Sequence, residues 1–311
     1  MTPSAHRGEP RHILSLRHGG IAGFKVRYEL VGPPGASLLL VAGGISAGRH
    51  VLASGQFPEP GWWQSQSATF ADFRVLAIDW VAADGVIDIA IDPADQAETI
   101  AWLLDELGEQ KAAAFIGASY GAMVGMHLAA RHPAKVGELL AISAAERPHP
   151  YASACRALQR KAIAVGGPGF GVALARAMAM LTYRTPEEFA ARFDAPPELH
   201  GGRLRVAAEP YLDAQGERHC QRMSAIAYRR LSESIDLHRI DPADIKVPMT
   251  LVAVDQDALV PADDIRSLAD RIPGSSFHLI HSLFGHDAFL KEEAQVAAII
   301  SQFLESLEND Q

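Results

Sequence analysis

Short, unbroken apolar runs alternate along the chain with stretches in which apolar residues recur every third or fourth position. Leu38-Leu39-Leu40-Val41-Ala42 is continuously apolar and ends at Gly43-Gly44, as a strand buried on both faces does when it enters a tight loop. The run Arg74–Ile78, followed by Asp79, repeats the pattern. Asp92-Pro93 then opens a helix in which Ala97, Ile100, Ala101, Leu104 and Leu107 share one face, and Gly108 stops it. A strand over 112–116, a helix over 122–131 and a strand over 138–142 follow. Buried strands separated by amphipathic helices predict βα units winding a mostly parallel sheet, the α/β class.

From Glu146 to about Asp241 the rhythm is different. Ala-, Arg- and Met-rich helical stretches at 152–164, 172–181, 186–193 and 218–234 follow one another with no strand pattern between them. The α/β alternation resumes with a strand at Met249–Val254, a helix over 262–271, a strand at Ser276–Ile280 and a closing helix over 294–307. The reading is a core of residues 1–145 and 242–311 interrupted by a helical cap, 146–241. The cap is an insertion because the sheet needs strands from both sides of it.

At 311 residues, 48% hydrophobic and 21% charged, the composition is that of a globular protein. The net charge of −9 and the absence of basic runs interleaved with aromatics argue against a nucleic-acid partner. Cys155 and Cys220 are the only cysteines and form no ligand spacing, so neither a disulfide framework nor a metal site is expected. The stretch from Met1 to Arg11 is polar, and no apolar run approaches bilayer-spanning length, so the expectation is a cytoplasmic protein without membrane contact.

Gly117-Ala118-Ser119-Tyr120-Gly121 matches G-x-S-x-G between an apolar strand and a helix. That context gives the motif meaning: a serine raised on a strained turn needs glycines where Cβ atoms would meet the neighbouring strand and helix. A serine hydroxyl needs a general base, and the base an orienting carboxylate, in the chain order Ser, acid, His. His286 in Gly285-His286-Asp287, after the strand Ser276–Ile280, is the expected base; His278 and His281 are the competitors by residue type. Asp257 is the expected acid, with Asp255 second, because Asp263 and Asp264 suit the first turn of a helix. The oxyanion donors expected are the Tyr120 N–H and that of Gly44 or Ile45. The glycine loop lacks the Lys-Ser/Thr of a P-loop and G-x-G-x-x-G spacing, which disfavours nucleotide binding.

The segments Gly61-Trp62-Trp63, Leu181-Thr182-Tyr183-Arg184-Thr185-Pro186-Glu187-Glu188-Phe189, Arg192-Phe193, Tyr211-Leu212 and Gly285-His286-Asp287-Ala288-Phe289-Leu290 resemble those of the homoserine O-acyltransferases of α/β-hydrolase fold. The resemblance implies an α/β-hydrolase fold with an inserted helical cap, no cofactor, acyl-CoA as co-substrate, L-homoserine as acceptor and a homodimer. It further implies that Arg184 and Asp287 bind the carboxylate and ammonium of the amino acid. The chain departs from the family's Gly-x-Ser-Met-Gly-Gly at Ser119-Tyr120-Gly121-Ala122, and from its Leu-Thr-Gly loop at Gly43-Gly44-Ile45-Ser46. These departures and the short chain resemble a compact subgroup associated with succinyl transfer in methionine biosynthesis, and Arg49, just past the oxyanion loop, is the expected partner of the succinyl carboxylate.

Acetyl transfer from acetyl-CoA is the nearest alternative. An esterase or thioesterase with the same triad would differ only in using water as acceptor, and a non-catalytic hydrolase-fold scaffold would form no acyl-enzyme. The bland readings of the substrate residues are a surface pair of Arg184 with Glu187 or Glu188, worth ~0.5 kcal/mol, and Asp287 as a helix cap. For Arg49 it is an exposed helix-start arginine, and for Tyr228 packing within a cap helix.

Overall fold

In the computed structural model residues 4–309 are described; the first three residues of the polar N-terminal stretch and the last two of the chain lie outside the described residues. Eight strands form one sheet in the order Ser4–Gly8, Tyr28–Gly32, Arg74–Ile78, Leu38–Ala42, Ala112–Ala118, Val136–Ile142, Met249–Val254, Ser276–Ile280. The last six are mutually parallel, and the first two pair antiparallel. Parallel strands in the middle of such a sheet must be covered on both faces. The alternation of side chains does this: Leu38 and Leu40 join one core cluster with Phe115, while Leu39 and Val41 join the other with Ile116. The helices Pro93–Glu106, Tyr120–Arg131 and Ala262–Ala269 supply apolar residues to the first cluster, and Glu293–Asn309 packs into the second with Trp63 and Phe70.

The predicted strands and helices of the α/β regions are all present, so the fold is that of the expected class. Four N-terminal strands were not expected: Ser4–Gly8, Arg11–Ser15, Ile21–Lys25 and Tyr28–Gly32. The first two carry Arg and His at exposed or half-buried positions, and the third, Ile-Ala-Gly-Phe-Lys, is only five residues long with exposed Ile21, so none shows the buried apolar run of the central strands. The expected helix over 218–234 is two helices, Glu209–Cys220 and Ala225–Leu237, with Ser224 capping the second through the Ala227 N–H. A short exposed hairpin, Glu198–His200 with Arg203–Arg205, corrects the reading of 146–241 as strand-free.

One expectation about length is also corrected. Pro150–Tyr183 is a 34-residue helical stretch that by length and composition alone could cross a membrane. It does not run straight. Gly167 has φ +74°, and the turn Gly167–Gly171 folds the stretch into a hairpin whose arms, Pro150–Gly166 and Val172–Tyr183, are 17 and 12 residues long. Each arm is shorter than the ~20 residues a helix needs to span a bilayer.

Candidate active site

The strand Ala112–Ala118 sits in the middle of the sheet and hands over to the helix Tyr120–Arg131 through Ser119, whose φ of 54° and ψ of −118° lie outside the regions that L residues prefer. Packing holds it there. The Ser119 N–H donates to the Ile142 carbonyl at 2.8 Å and the Gly121 N–H to the Gly43 carbonyl at 2.9 Å. A Cβ at Gly117 would stand 2.6 Å from Ala122 N, and one at Gly121 only 2.3 Å from the Ala42 carbonyl oxygen, so no larger residue fits either side of the turn.

Ser119 Oγ lies 2.7 Å from His286 Nε2, and His286 Nδ1 lies 2.7 Å from Asp257 Oδ2. An ionised carboxylate only accepts, so the Nδ1–H donates to Asp257 and leaves the Nε2 lone pair to accept from the serine hydroxyl. Asp257 is itself oriented: its Oδ1 accepts the N–H groups of Leu259 and Val260 at 2.8 and 3.0 Å. Burial pushes the His286 imidazole down, but the Asp257 carboxylate pulls it up further, and the net displacement is above 6.5. Tyr183 stacks on the imidazole with ring centroids 5.8 Å apart. Asp255 is elsewhere, bonded to the exposed His281 at 2.8 Å and to the Ser282 N–H at 3.2 Å. His278 stays within its strand.

Of the oxyanion residues, Gly44 and Ile45 line the same cavity as Ser119 and His286, a space of about 210 Å³ beneath the cap. Among the described residues neither loop N–H has an acceptor, and the Tyr120 N–H, in the first turn of its helix, has none within the helix. These three N–H groups, on Ser119's neighbour in the chain and on the loop beside it, are thus left with no acceptor among the described residues.

The substrate residues are placed differently. Asp287 lines the cavity, its side chain 16% exposed. Arg184 does not. It stands behind Asp287, with Nε 3.0 Å from Asp287 Oδ2 and a guanidinium nitrogen 3.7 Å from Glu188, and steadies the aspartate from outside. Arg49 is also outside: its N–H donates to Asp79 at 2.9 Å and its guanidinium lies 3.8 Å from the same carboxylate. Tyr228 lines the cavity and hydrogen-bonds Gln159 at 3.0 Å, so it is more than packing.

Two arginines that the motif reading passed over face the cavity, Arg156 and Arg176. Arg156 gives its Nε and one terminal nitrogen to Asp236 at 2.8 and 2.6 Å, which leaves the other terminal nitrogen without an acceptor among the described residues. Arg176 has no carboxylate within ion-pair distance among the described residues; its guanidinium lies over the Tyr183 ring at 5.1 Å. Arg156 sits on an amphipathic helix among other polar residues and gives no signal in the sequence, whereas Arg176 is the one charged residue of Val172–Tyr183, which is a weak one. Among the described residues no group of three or more His, Cys, Asp or Glu side chains could hold a metal ion.

Residues 38–293 match the family model of the alpha/beta hydrolase fold. The chain is 52% identical to the homoserine O-succinyltransferase of Xanthomonas campestris pv. campestris, over 97% of its own length and 85% of that protein's. It is 39% identical to the homoserine O-acetyltransferase of Thermus thermophilus, over 68% of this chain and 57% of that one. The crystal structure of homoserine O-acetyltransferase from Staphylococcus aureus superposes with a TM-score of 0.83 at 23% identity, covering 97% of this chain and 95% of the other, and shares the fold. A hydrogen-bonded Ser-His-Asp relay facing a cavity lined by two arginines, together with identity at this level over nearly the whole length, leads to one conclusion: the chain is an enzyme and belongs to the homoserine O-acyltransferases of the alpha/beta hydrolase fold.

Proposed function

We propose that the enzyme transfers a succinyl group from succinyl-CoA to the hydroxyl of L-homoserine through an acyl-enzyme on Ser119, a step toward methionine. The observation that carries the reading is the pair Arg156 and Arg176 in one cavity with the relay. The substrates bring two carboxylates into that space, the α-carboxylate of the acceptor and the far end of the succinyl group. Acetyl transfer would need only one. Arg176, stacked on Tyr183 beside His286, suits the acceptor carboxylate, and Asp287 suits its ammonium. The free nitrogen of Arg156, held by Asp236, suits the succinyl end. This replaces Arg184 and Arg49 in those roles.

Ser119 Oγ attacks the thioester carbonyl as His286 Nε2 takes its proton, and the oxygen that gains charge is met by the Tyr120 N–H and a loop N–H. Collapse breaks the C–S bond, and His286 returns the proton to the departing coenzyme A sulfur. The homoserine hydroxyl then gives its proton to Nε2, attacks the Ser119 ester, and restores the serine. Mass spectrometry of products from mixed succinyl-CoA and acetyl-CoA with homoserine and serine tests the reading: O-succinylhomoserine as main product supports it, and O-acetylhomoserine overturns the donor.

A cytoplasmic homodimer completes the proposal. On the cap hairpin Val165 is 91% and Phe170 71% exposed, near exposed Leu158, Leu174 and Leu181, and a second copy would cover that apolar face. Sedimentation of the wild type against Phe170→Asp checks it; an unchanged dimer in the variant would place the contact elsewhere.

A further inference from the structure

Trp80 is buried, 3% exposed, and is not among the residues that line the catalytic cavity. Its indole N–H donates to the Gly44 carbonyl at 3.0 Å; an indole nitrogen only donates, so the direction of the bond is certain. The Ala47 N–H adds a bond to the same oxygen at 2.9 Å, and the Gly121 N–H holds the Gly43 carbonyl at 2.9 Å. The peptide planes on both sides of Gly44 are thus anchored through their oxygens. No peptide bond among the described residues is cis, and a trans peptide sets its N–H antiparallel to its C=O. The same bonds therefore aim the N–H groups of Gly44 and Ile45.

Gly44 depends on such outside support. It has no side chain to pack against its neighbours, and the space a Cβ would occupy is open, with nothing within 4 Å, so its orientation is left to its backbone bonds. The indole that anchors its carbonyl also stands edge-on to the Tyr120 ring, centroids 4.9 Å apart at 79°. The Tyr120 hydroxyl in turn lies 2.7 Å from Ser234 Oγ on a cap helix. One side chain thus touches the residues that carry both halves of the oxyanion site and stays clear of the reacting atoms.

We infer that Trp80 is a positioning residue for the oxyanion hole: its N–H fixes the Gly44 peptide so that the loop donor meets the tetrahedral oxygen. The inference rests on the acyl-enzyme of the proposed function, and on no particular donor or acceptor. Hydrogen-bond donors stabilise an oxyanion only when they already point to where it forms, at ~2.7–3.1 Å. With the indole bond gone, the Ala47 N–H alone holds the Gly44 carbonyl, and the loosened loop donor gives up part of that stabilisation.

The test replaces the indole N–H and keeps the ring: Trp80→benzothienylalanine, with sulfur in place of N–H, beside Trp80→Phe. Acylation is read as the p-nitrophenol burst from p-nitrophenyl acetate, and the acyl-enzyme ester carbonyl by isotope-edited infrared spectroscopy. The isostere is expected to acylate about tenfold more slowly, less than the ~100- to 1000-fold loss on deleting a donor outright. KM and melting temperature should stay near wild type, and the ester carbonyl stretch should move to higher wavenumber as its hydrogen bond weakens. An isostere with the wild-type burst rate and stretch, or one altered only in KM, overturns the inference. A Trp80→Phe variant that does not fold leaves the isostere to decide. Wild type that shows the burst but makes no acylhomoserine would defeat the proposed function and leave this inference open to the same measurement.

Discussion

His286 Nε2 lies 2.7 Å from Ser119 Oγ although 167 residues separate the two in the chain. The approach depends on Gly285, which has φ +54° and leaves only 3.0 Å between the position of a Cβ and the Tyr183 carbonyl oxygen. The histidine loop is seated directly against the end of a cap helix, so core and cap set the relay distance together.

Ser119→Ala is expected to abolish acyl transfer and to leave the fold intact, because it removes only the hydroxyl from a turn already held by backbone bonds. Intact-mass spectrometry after exposure to succinyl-CoA should show wild type gaining one succinyl group and the variant none. Transfer at the wild-type rate by the variant would rule out the covalent route.

Asp257→Asn should lower kcat by about 10⁴-fold, since an amide cannot keep His286 in its working tautomer or stabilise the imidazolium. Asp255→Asn, which alters the pair with exposed His281 and the bond from the Ser282 N–H, both away from the relay, should stay within about twofold. Steady-state kinetics of both variants checks the assignment, and the reverse ranking would move the acid.

The cavity arginines should separate the two substrates. Arg176→Lys is expected to raise the homoserine KM, because a point charge cannot replace a forked guanidinium. Arg156→Ala should cut kcat/KM for succinyl-CoA by about ten- to hundredfold, the worth of a charged hydrogen bond, and spare acetyl-CoA. Arg49→Ala should leave the succinyl-to-acetyl ratio unchanged, given its pairing with Asp79 outside the cavity.

Two pH effects are expected. His286 must be neutral to act as base and its proton affinity is raised, so the acid limb of kcat/KM should fall at a pH above 6.5. Stability behaves separately. His127 and His238 are buried 3.2 Å apart, and burial first, then their mutual repulsion in the case of His127, depresses them to about 3 and about 4. Their folded values lie below the unfolded one, so the unfolded chain binds more protons, and this stability is present above about pH 6.5 and lost as pH falls toward 4. Urea denaturation at pH 7 and pH 5 should show a lower midpoint at pH 5, and His127→Gln should flatten the difference.

Much of the molecule was decided locally. Apolar runs of strand length, helical spacing and Gly/Pro punctuation act within a few residues, so they sufficed for the parallel strands, for the sharp turn at Ser119 and for the order in which Asp257 and His286 follow it. Ser4–Gly8 and Arg11–Ser15 escaped because half-exposed edge segments need no apolar pattern, whereas Tyr28–Gly32 is buried inside the sheet and was simply passed over. The split between Cys220 and Ala225 escaped because the linking residues 221–224 contain no Gly or Pro, and the largely polar helix Glu209–Cys220 shows no clear apolar face.

The binding groups were decided by packing between segments distant in sequence. Arg184 adjoins a distinctive motif, yet it lies at the end of its helix, where the docked loop of Asp287 and the helix Pro186–Phe193 draw it away from the cavity. Arg176, on the same helix, and Arg156, across the hairpin, project inward only because the cap folds back over the sheet. The chain by itself determined which residues could form strands, helices and a nucleophile turn. Only the tertiary structure determined which cations lie in the cavity, because a side chain's direction depends on where its helix docks, and that is set by the whole buried surface rather than by neighbouring residues.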